Sequence, residues 1–136
     1  MSDLYRQIIL EHYKNPLNKG KLLMPDITVE DSNPLCGDHL EVFLKIKNNI
    51  LQDISFEGKG CALSIATASI LSEEIKGKSI NEINNLTRED VYALLGIDVS
   101  PARNKCVMLS LVAIKKALFE FEKLSLKKNN DRGDLK

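Results

Sequence analysis

The stretch that decides the fold is Asn33-Pro34-Leu35-Cys36-Gly37-Asp38-His39, followed by the segment 40–47. It brings a thiol, which is a soft metal ligand, and a carboxylate, which is a hard one, into one turn. Proline and glycine favour a tight turn, and the following segment has apolar residues at nearly every second position. The stretch therefore predicts a turn that leads directly into a strand and holds both ligands rigidly.

Further strands are predicted on both sides of this one. Asn48-Asn49 is typical of a two-residue hairpin turn because asparagine tolerates positive φ. The alternation resumes at Ile50, Ile54 and Phe56, and a short strand is predicted at 27–30. These segments indicate an antiparallel hairpin or meander.

Five segments of the chain predict helices. Apolar spacing and capping signals mark them, with a proline or glycine near several of the ends. The second is small and apolar around most of its circumference, which predicts a buried helix. The third and fourth begin with capping-box patterns, and Ser100-Pro101 opens the fifth. The segments are 2–14, a run over 62–71 with Gly77 as its stop, a short helix that begins at 79, 87–96 and 102 to about 124.

Composition indicates one domain, predicted at 1–124, with a flexible polar tail at 125–136. The 19 basic and 19 acidic side chains cancel, so composition gives no case for nucleic acid or a membrane as partner. No apolar run reaches the roughly 18 residues that span a bilayer, and the N-terminus lacks the pattern of a signal peptide. We therefore expect a cytoplasmic protein, in which the three cysteines serve as ligands, nucleophiles or core residues.

Cys61 and Cys106 each follow a loop and stand near the predicted start of a helix. The positive end of a helix dipole favours the thiolate, which is both a metal ligand and a sulfur nucleophile. Thiolates bind zinc and iron-sulfur irons, and a carboxylate ligand makes a site weaker and more exchangeable than four thiolates would. Such a site is better suited to transfer chemistry than to a purely structural role. The hypothesis is one metal site made by Cys36, Asp38, Cys61 and Cys106.

The competing interpretation is that the three cysteines are small buried core residues. The chain has neither CxxC nor HxxxH, and spacing alone does not show that three distant loops converge. His12 is interpreted as a hydrogen-bonded packing residue, and His39 as a packing or solvent residue with substitute ligand or proton carrier as alternatives. Arg103 is either a helix-surface charge or a partner for Asp38 when metal is absent.

Three stretches together closely resemble the IscU/SufU/NifU family of iron-sulfur assembly proteins, and the match runs to about Leu124. They are Asn33-Pro34-Leu35-Cys36-Gly37-Asp38, Gly58-Lys59-Gly60-Cys61-Ala62-Leu63-Ser64 and Pro101-Ala102-Arg103-Asn104-Lys105-Cys106. The resemblance implies an α+β fold, with helices packed on one face of a small three-stranded antiparallel sheet. It implies a pyridoxal-phosphate-dependent cysteine desulfurase as sulfur donor and apo iron-sulfur proteins as recipients. The implied site residues are Cys36, Asp38, Cys61 and Cys106.

The family has two main branches, which differ before the third cysteine. The scaffold branch has a histidine there and builds a [2Fe-2S] cluster, whereas the zinc-bearing SufU branch has a basic residue and accepts sulfur. Lys105 resembles the SufU branch, but the 44 residues from 62 to 105 are nearer the scaffold length. Asp98-Val99-Ser100-Pro101-Ala102-Arg103 replaces the scaffold branch's chaperone-docking motif Leu-Pro-Pro-Val-Lys.

The expected function is sulfur transfer at a zinc site, with assembly of a [2Fe-2S] cluster as the alternative. Cys36, by resemblance to the zinc branch, or Cys106, by resemblance to the scaffold branch, would take the persulfide, and Arg103 would support the site. Two interpretations of other classes remain: a zinc-stabilised interaction module without transfer chemistry, and a metal-free domain with inert thiols.

Overall fold

The structure, a computed structural model, describes residues 3–34 and 37–134, with side chains at 4–34 and 37–126. Three strands come between the first and second helices, and the remaining helices follow. The elements are α1 (Asp3–Lys14), β1 (Ile27–Asn33), β2 (Asp38–Lys47), β3 (Ile50–Lys59), α2 (Ala62–Ile75), α3 (Ile80–Asn84), α4 (Arg88–Leu95), a 3₁₀ turn (Pro101–Arg103) and α5 (Asn104–Asp134).

The strands form one antiparallel sheet in the order β1-β2-β3. Asn48 and Asn49, at φ 54° and 61°, make the predicted hairpin turn between β2 and β3. The connection from β1 to β2 closes where the Gly37 N–H donates to the Asn33 carbonyl at 2.9 Å. Gly37 has φ 72°, a left-handed conformation that glycine adopts at little cost. The predicted tight turn before β2 is thus confirmed at its described end.

The hydrophobic core lies on one face of the sheet. Leu40, Val42 and Leu44 of β2 are at most 1% exposed and belong to the same buried cluster as α2 and α5. Helix α5 packs on β1 and β2, while α2 packs on β3 and on α5. Full burial of each such side chain contributes roughly 1.5–3 kcal/mol. The predicted α+β architecture, with helices on one face of a three-stranded sheet, is confirmed.

The free edge of β3 is covered by the loop after α1. The Phe56 N–H donates to the Asn18 carbonyl at 2.9 Å, and the Gly20 N–H donates to the Phe56 carbonyl at 2.8 Å. The start of the loop is fixed from α2, because the Ser69 hydroxyl accepts the Leu17 N–H at 2.8 Å and lies 2.7 Å from His12 Nδ1. His12 is therefore a hydrogen-bonded packing residue, as predicted.

The helix boundaries agree with the sequence signals at α3 and α4, but differ at α5. Both predicted capping boxes are present, and Gly96 ends α4 in the left-handed conformation. Helix α5 is preceded by a 3₁₀ turn, which is common at helix starts, and runs to Asp134 rather than ending near Leu124. Lysine and leucine favour helix and no proline interrupts the segment, so the helical backbone continues after the apolar pattern stops. The division into a domain at 1–124 and a flexible tail at 125–136 stays a prediction.

Across residues 3–34 and 37–134, the structure contains no helix with the length and apolar character that a membrane crossing requires.

Candidate metal centre

Asp38, Cys61 and Cys106 come together at one end of the sheet. Asp38 begins β2, Cys61 is the N-cap of α2 and Cys106 is the third residue of α5. One oxygen of Asp38 and the sulfurs of the two cysteines all lie within 4.8 Å of one another. The fold thus joins three stretches that are far apart in sequence. Cys36, the fourth predicted ligand, lies outside the described residues.

Burial and helix position make these groups suited to ligation. Asp38 is 3% exposed and Cys106 is 8% exposed, whereas Cys61 is half-buried. Cys61 supplies no side-chain cap to α2, but its main-chain N–H donates to Asp38 Oδ1 at 3.1 Å. A carboxylate at a helix start is stabilised by the free N–H groups and by the helix dipole. The first turn of α2 has no acidic residue of its own, and the Asp38 carboxylate of β2 takes that place.

The donor spacing fits a tetrahedral metal ion. Cys61 Sγ and Asp38 Oδ2 are 3.7 Å apart. Zinc bound at about 2.3 Å from sulfur and about 2.1 Å from oxygen requires a donor separation of about 3.6 Å at the tetrahedral angle. The two donors are already separated by the distance that a shared zinc ion would need, so the residues present fit the metal.

Glycines allow β2 and the start of α2 to approach closely. A Cβ on Gly60 would lie 3.3 Å from both Cγ and Oδ1 of Asp38 and 3.0 Å from Cβ of Ser64. A Cβ on Gly58, which has φ +146°, would lie 2.0 Å from the His39 carbonyl oxygen. The two glycines in Gly58-Lys59-Gly60-Cys61 therefore make room for the neighbouring strand and for the carboxylate.

Ser64 also belongs to this centre, although the sequence analysis assigned no role to it. It is 1% exposed and its hydroxyl donates a short hydrogen bond to Asp38 Oδ2. The same Oγ is 3.5 Å from Cys61 Sγ and 3.2 Å from the Cys106 carbonyl oxygen. The available signal was its spacing, because residues three apart on a helix lie on the same face. Ser64 therefore contacts all three of the described donor residues.

The other candidate residues lie at the surface. His39 Nε2 is 3.0 Å from Glu30 Oε1 and its side chain is 42% exposed, which supports the solvent interpretation. Arg103 is exposed on the 3₁₀ turn, in the wall of a cavity of about 320 Å³ that Leu63 and Arg6 also line. Lys105 is also exposed. His39, Arg103 and Lys105 are thus more exposed than the donor residues Asp38 and Cys106.

Similarity to known proteins covers nearly the whole chain. Residues 4–128 match the family model described as the NifU-like N terminal domain. The chain is 37% identical over 139 residues to the zinc-dependent sulfurtransferase SufU of Bacillus subtilis, covering 90% of this chain and 94% of the relative. It is 35% identical over 118 residues to the iron-sulfur cluster assembly scaffold protein IscU 1 of Archaeoglobus fulgidus, covering 87% of this chain and 76% of the relative.

A solved structure shows the same fold. The crystal structure of a nitrogen-fixing NifU-like protein (N-terminal) from Brucella abortus aligns with a TM-score of 0.74 at 23% identity. The alignment covers 89% of this chain and 96% of that structure. The family match over residues 4–128 and the relatives above 30% identity establish that the chain belongs to the family of NifU-like N-terminal domains.

Proposed function

We propose that the chain accepts persulfide sulfur from a cysteine desulfurase at a zinc site, as a step in iron-sulfur cluster assembly. The observation that carries the proposal is the convergence of one carboxylate and two thiols within 4.8 Å. The 37% identity to a protein named as a zinc-dependent sulfurtransferase supports zinc as the metal. The four proposed ligands are Cys36, Asp38, Cys61 and Cys106.

Bound zinc would keep the cysteine ligands deprotonated and so preserve their nucleophilic form. Asp38 supplies the hard ligand of the set, and a carboxylate exchanges more readily than a thiolate. We therefore propose that Asp38 is the ligand that dissociates most readily, and that it controls release of the metal when sulfur arrives. Since the thiols must remain reduced, we place the reaction in a reducing compartment, the cytoplasm.

The sulfur transfer is a thiol-persulfide exchange that needs no external oxidant. A thiolate of this chain attacks the outer sulfur of the desulfurase persulfide and forms a new sulfur-sulfur bond. The sulfur-sulfur bond of the desulfurase breaks, and its cysteine leaves as a thiolate with the bonding electron pair. The product is a persulfide on this chain, which can be passed on for cluster assembly.

Cys36 is the proposed first acceptor, and Cys106 is the second candidate. Cys106 is 8% exposed and its carbonyl lies against Ser64, so a large partner has little access to it. Arg103 has a supporting role. It is exposed in the wall of a cavity that Leu63 also lines, and it precedes Cys106 by three residues, which suits contact with an acidic part of the desulfurase.

Cluster assembly on the chain is the second candidate function. It is favoured by the 35% identity to an iron-sulfur cluster assembly scaffold protein and by the same set of soft ligands, which also suits iron in a [2Fe-2S] cluster. In that case the cluster is the cargo, to be delivered to apo iron-sulfur proteins.

The test measures zinc content and sulfur acceptance on protein purified under reducing conditions and mixed with a cysteine desulfurase and cysteine. About one zinc per chain, faster desulfurase turnover and a mass increase of one sulfur atom would support sulfur transfer. Little zinc, with a visible-absorbing chromophore once iron is supplied, would favour the scaffold. Zinc without sulfur uptake would identify an interaction module, and three unreactive thiols would contradict the site.

Variants locate the chemistry. We expect Cys36→Ser, Cys61→Ser and Cys106→Ser each to lose most of the zinc, and Asp38→Ala to exchange zinc faster. Thr67→Val is the matched control, because Thr67 is a buried residue of α2 whose hydroxyl donates to the Leu63 carbonyl at 2.6 Å. Unchanged zinc content and exchange rate in Asp38→Ala would contradict the releasing role.

A further inference from the structure

We propose that Ser64 is a positioning residue that holds the Asp38 carboxylate in its metal-binding position before the metal arrives. The proposal rests on the zinc site proposed above and assigns a role to a residue that is not itself a ligand.

The first turn of α2 holds both oxygens of the carboxylate. The Cys61 main-chain N–H donates to Oδ1 at 3.1 Å, and the Ser64 hydroxyl donates to Oδ2. Hydrogen bonds to an ionised acceptor are about twice as strong as those between neutral groups. The terminal torsion of aspartate is otherwise broad, so these two bonds fix the orientation of the carboxylate plane.

The oxygen that Ser64 holds is also the one that faces the thiol. Oδ2 lies 3.7 Å from Cys61 Sγ, close to the separation that one tetrahedral zinc ion requires. A carboxylate oxygen has two lone pairs and can accept the hydroxyl while it also binds a metal. The hydrogen bond from Ser64 therefore does not need to break when the site is filled, and Ser64 supports the ligand rather than competing with the metal.

Ser64 also links the two helices that carry the thiols. Its Oγ is 3.5 Å from Cys61 Sγ on its own helix and 3.2 Å from the Cys106 carbonyl oxygen on α5. Because Ser64 is only 1% exposed, water cannot easily replace these contacts. Loss of the hydroxyl should therefore loosen the carboxylate and remove these two contacts without unfolding α2, since alanine favours helix.

The test is the zinc affinity of the full chain, measured by competition with a chromogenic chelator, for the unaltered protein, Ser64→Ala and the control Thr67→Val. Removal of a hydrogen bond that orients a metal ligand typically weakens metal affinity by about 10- to 100-fold. We expect that loss in Ser64→Ala and an affinity within about two-fold of the unaltered chain in Thr67→Val. Far-ultraviolet circular dichroism should give the same helicity for all three metal-free proteins.

A double-variant cycle separates positioning from a general structural effect. If Ser64 acts through Asp38, adding Ser64→Ala to Asp38→Ala should change zinc affinity by less than about two-fold. A loss of the same size in both backgrounds would overturn the proposal, and so would a Ser64→Ala protein that binds zinc as tightly as the unaltered chain or more tightly. Failure of the unaltered chain to bind zinc would instead overturn the zinc site itself.

Discussion

Gly58 is a position at which a single added carbon should destabilise the fold. A Cβ there would lie 2.0 Å from the His39 carbonyl oxygen, and the φ of +146° is one that L side chains rarely adopt. Because the obstacle is backbone of the paired strand, it cannot move without breaking the β2–β3 pairing. We expect Gly58→Ala to lower the free energy of unfolding by about 2 to 4 kcal/mol, measured by urea denaturation.

Gly20→Ala is the control for this prediction. Gly20 also has a positive φ, +127°, but a Cβ there would have nothing within 4 Å. Its substitution should therefore show the cost of the backbone conformation alone. Equal losses in the two variants would mean that the contact with His39 has no effect of its own.

A substitution at Arg103 should separate binding of the desulfurase from binding of the metal. We expect Arg103→Ala to lower the apparent affinity for the desulfurase by about five-fold, roughly 1 kcal/mol, because it removes an exposed charge close in sequence to Cys106. Zinc content should not change. Arg88→Ala is the control, since Arg88 is an exposed arginine of α4 whose guanidinium lies over the Tyr92 ring. Unchanged desulfurase activation by Arg103→Ala would dismiss the supporting role.

At the scale of elements, the start of α4 should make stability depend on pH. The Thr87 main-chain N–H donates to Asp90 Oδ2 at 2.8 Å and holds the pKa of that carboxyl below its ordinary value. Because the pKa is lower in the folded than in the unfolded chain, the stabilisation is complete above the unfolded value and is lost as pH falls through the folded one.

Asp90→Asn tests this dependence because the amide can still accept a hydrogen bond but does not titrate. The difference in free energy of unfolding between the unaltered chain and Asp90→Asn should shrink as pH falls from about 6 to about 3. A difference that stays constant over that range would contradict the effect of Asp90.

The elements were largely predictable because local chemistry determines them. Asn48-Asn49, the two capping boxes and Gly96 each act within a few residues, and the structure has them as predicted. The end of α5 was not predictable from the apolar pattern, since a helix can continue on intrinsic propensity alone. The role of Ser64 was also hidden, because it depends on a contact with a strand 26 residues away in sequence. Sequence spacing alone left the convergence of the cysteines undecided.

At the scale of the whole molecule, the hydrophobic core extends well beyond the candidate metal site. Buried side chains from the sheet, α2 and α5 form one cluster, while the described donors lie at one end of it. Chelation should therefore leave the helicity at 20 °C nearly unchanged, in contrast to a zinc-stabilised module, which would unfold.

Zinc should still raise the melting temperature, because it binds the folded chain. At free zinc about 100 times the Kd, the stabilisation is about 2.7 kcal/mol, which corresponds to roughly 8 °C for a chain of this size. Calorimetry with and without chelator measures this shift. Collapse of the helical signal at 20 °C on chelation would favour the structural-module interpretation.

The loop that covers β3 has a consequence for association between molecules. An open strand edge offers unpaired N–H and carbonyl groups on which a second chain can add its own strand. At Phe56 these groups are already hydrogen-bonded, because the N–H donates to the Asn18 carbonyl and the carbonyl accepts from the Gly20 N–H. The start of this loop is held by the Ser69 hydroxyl, which also contacts His12. The first helix and its loop thus shield the edge of β3 against aggregation, so a chain that lost them would be expected to form intermolecular sheets through that edge.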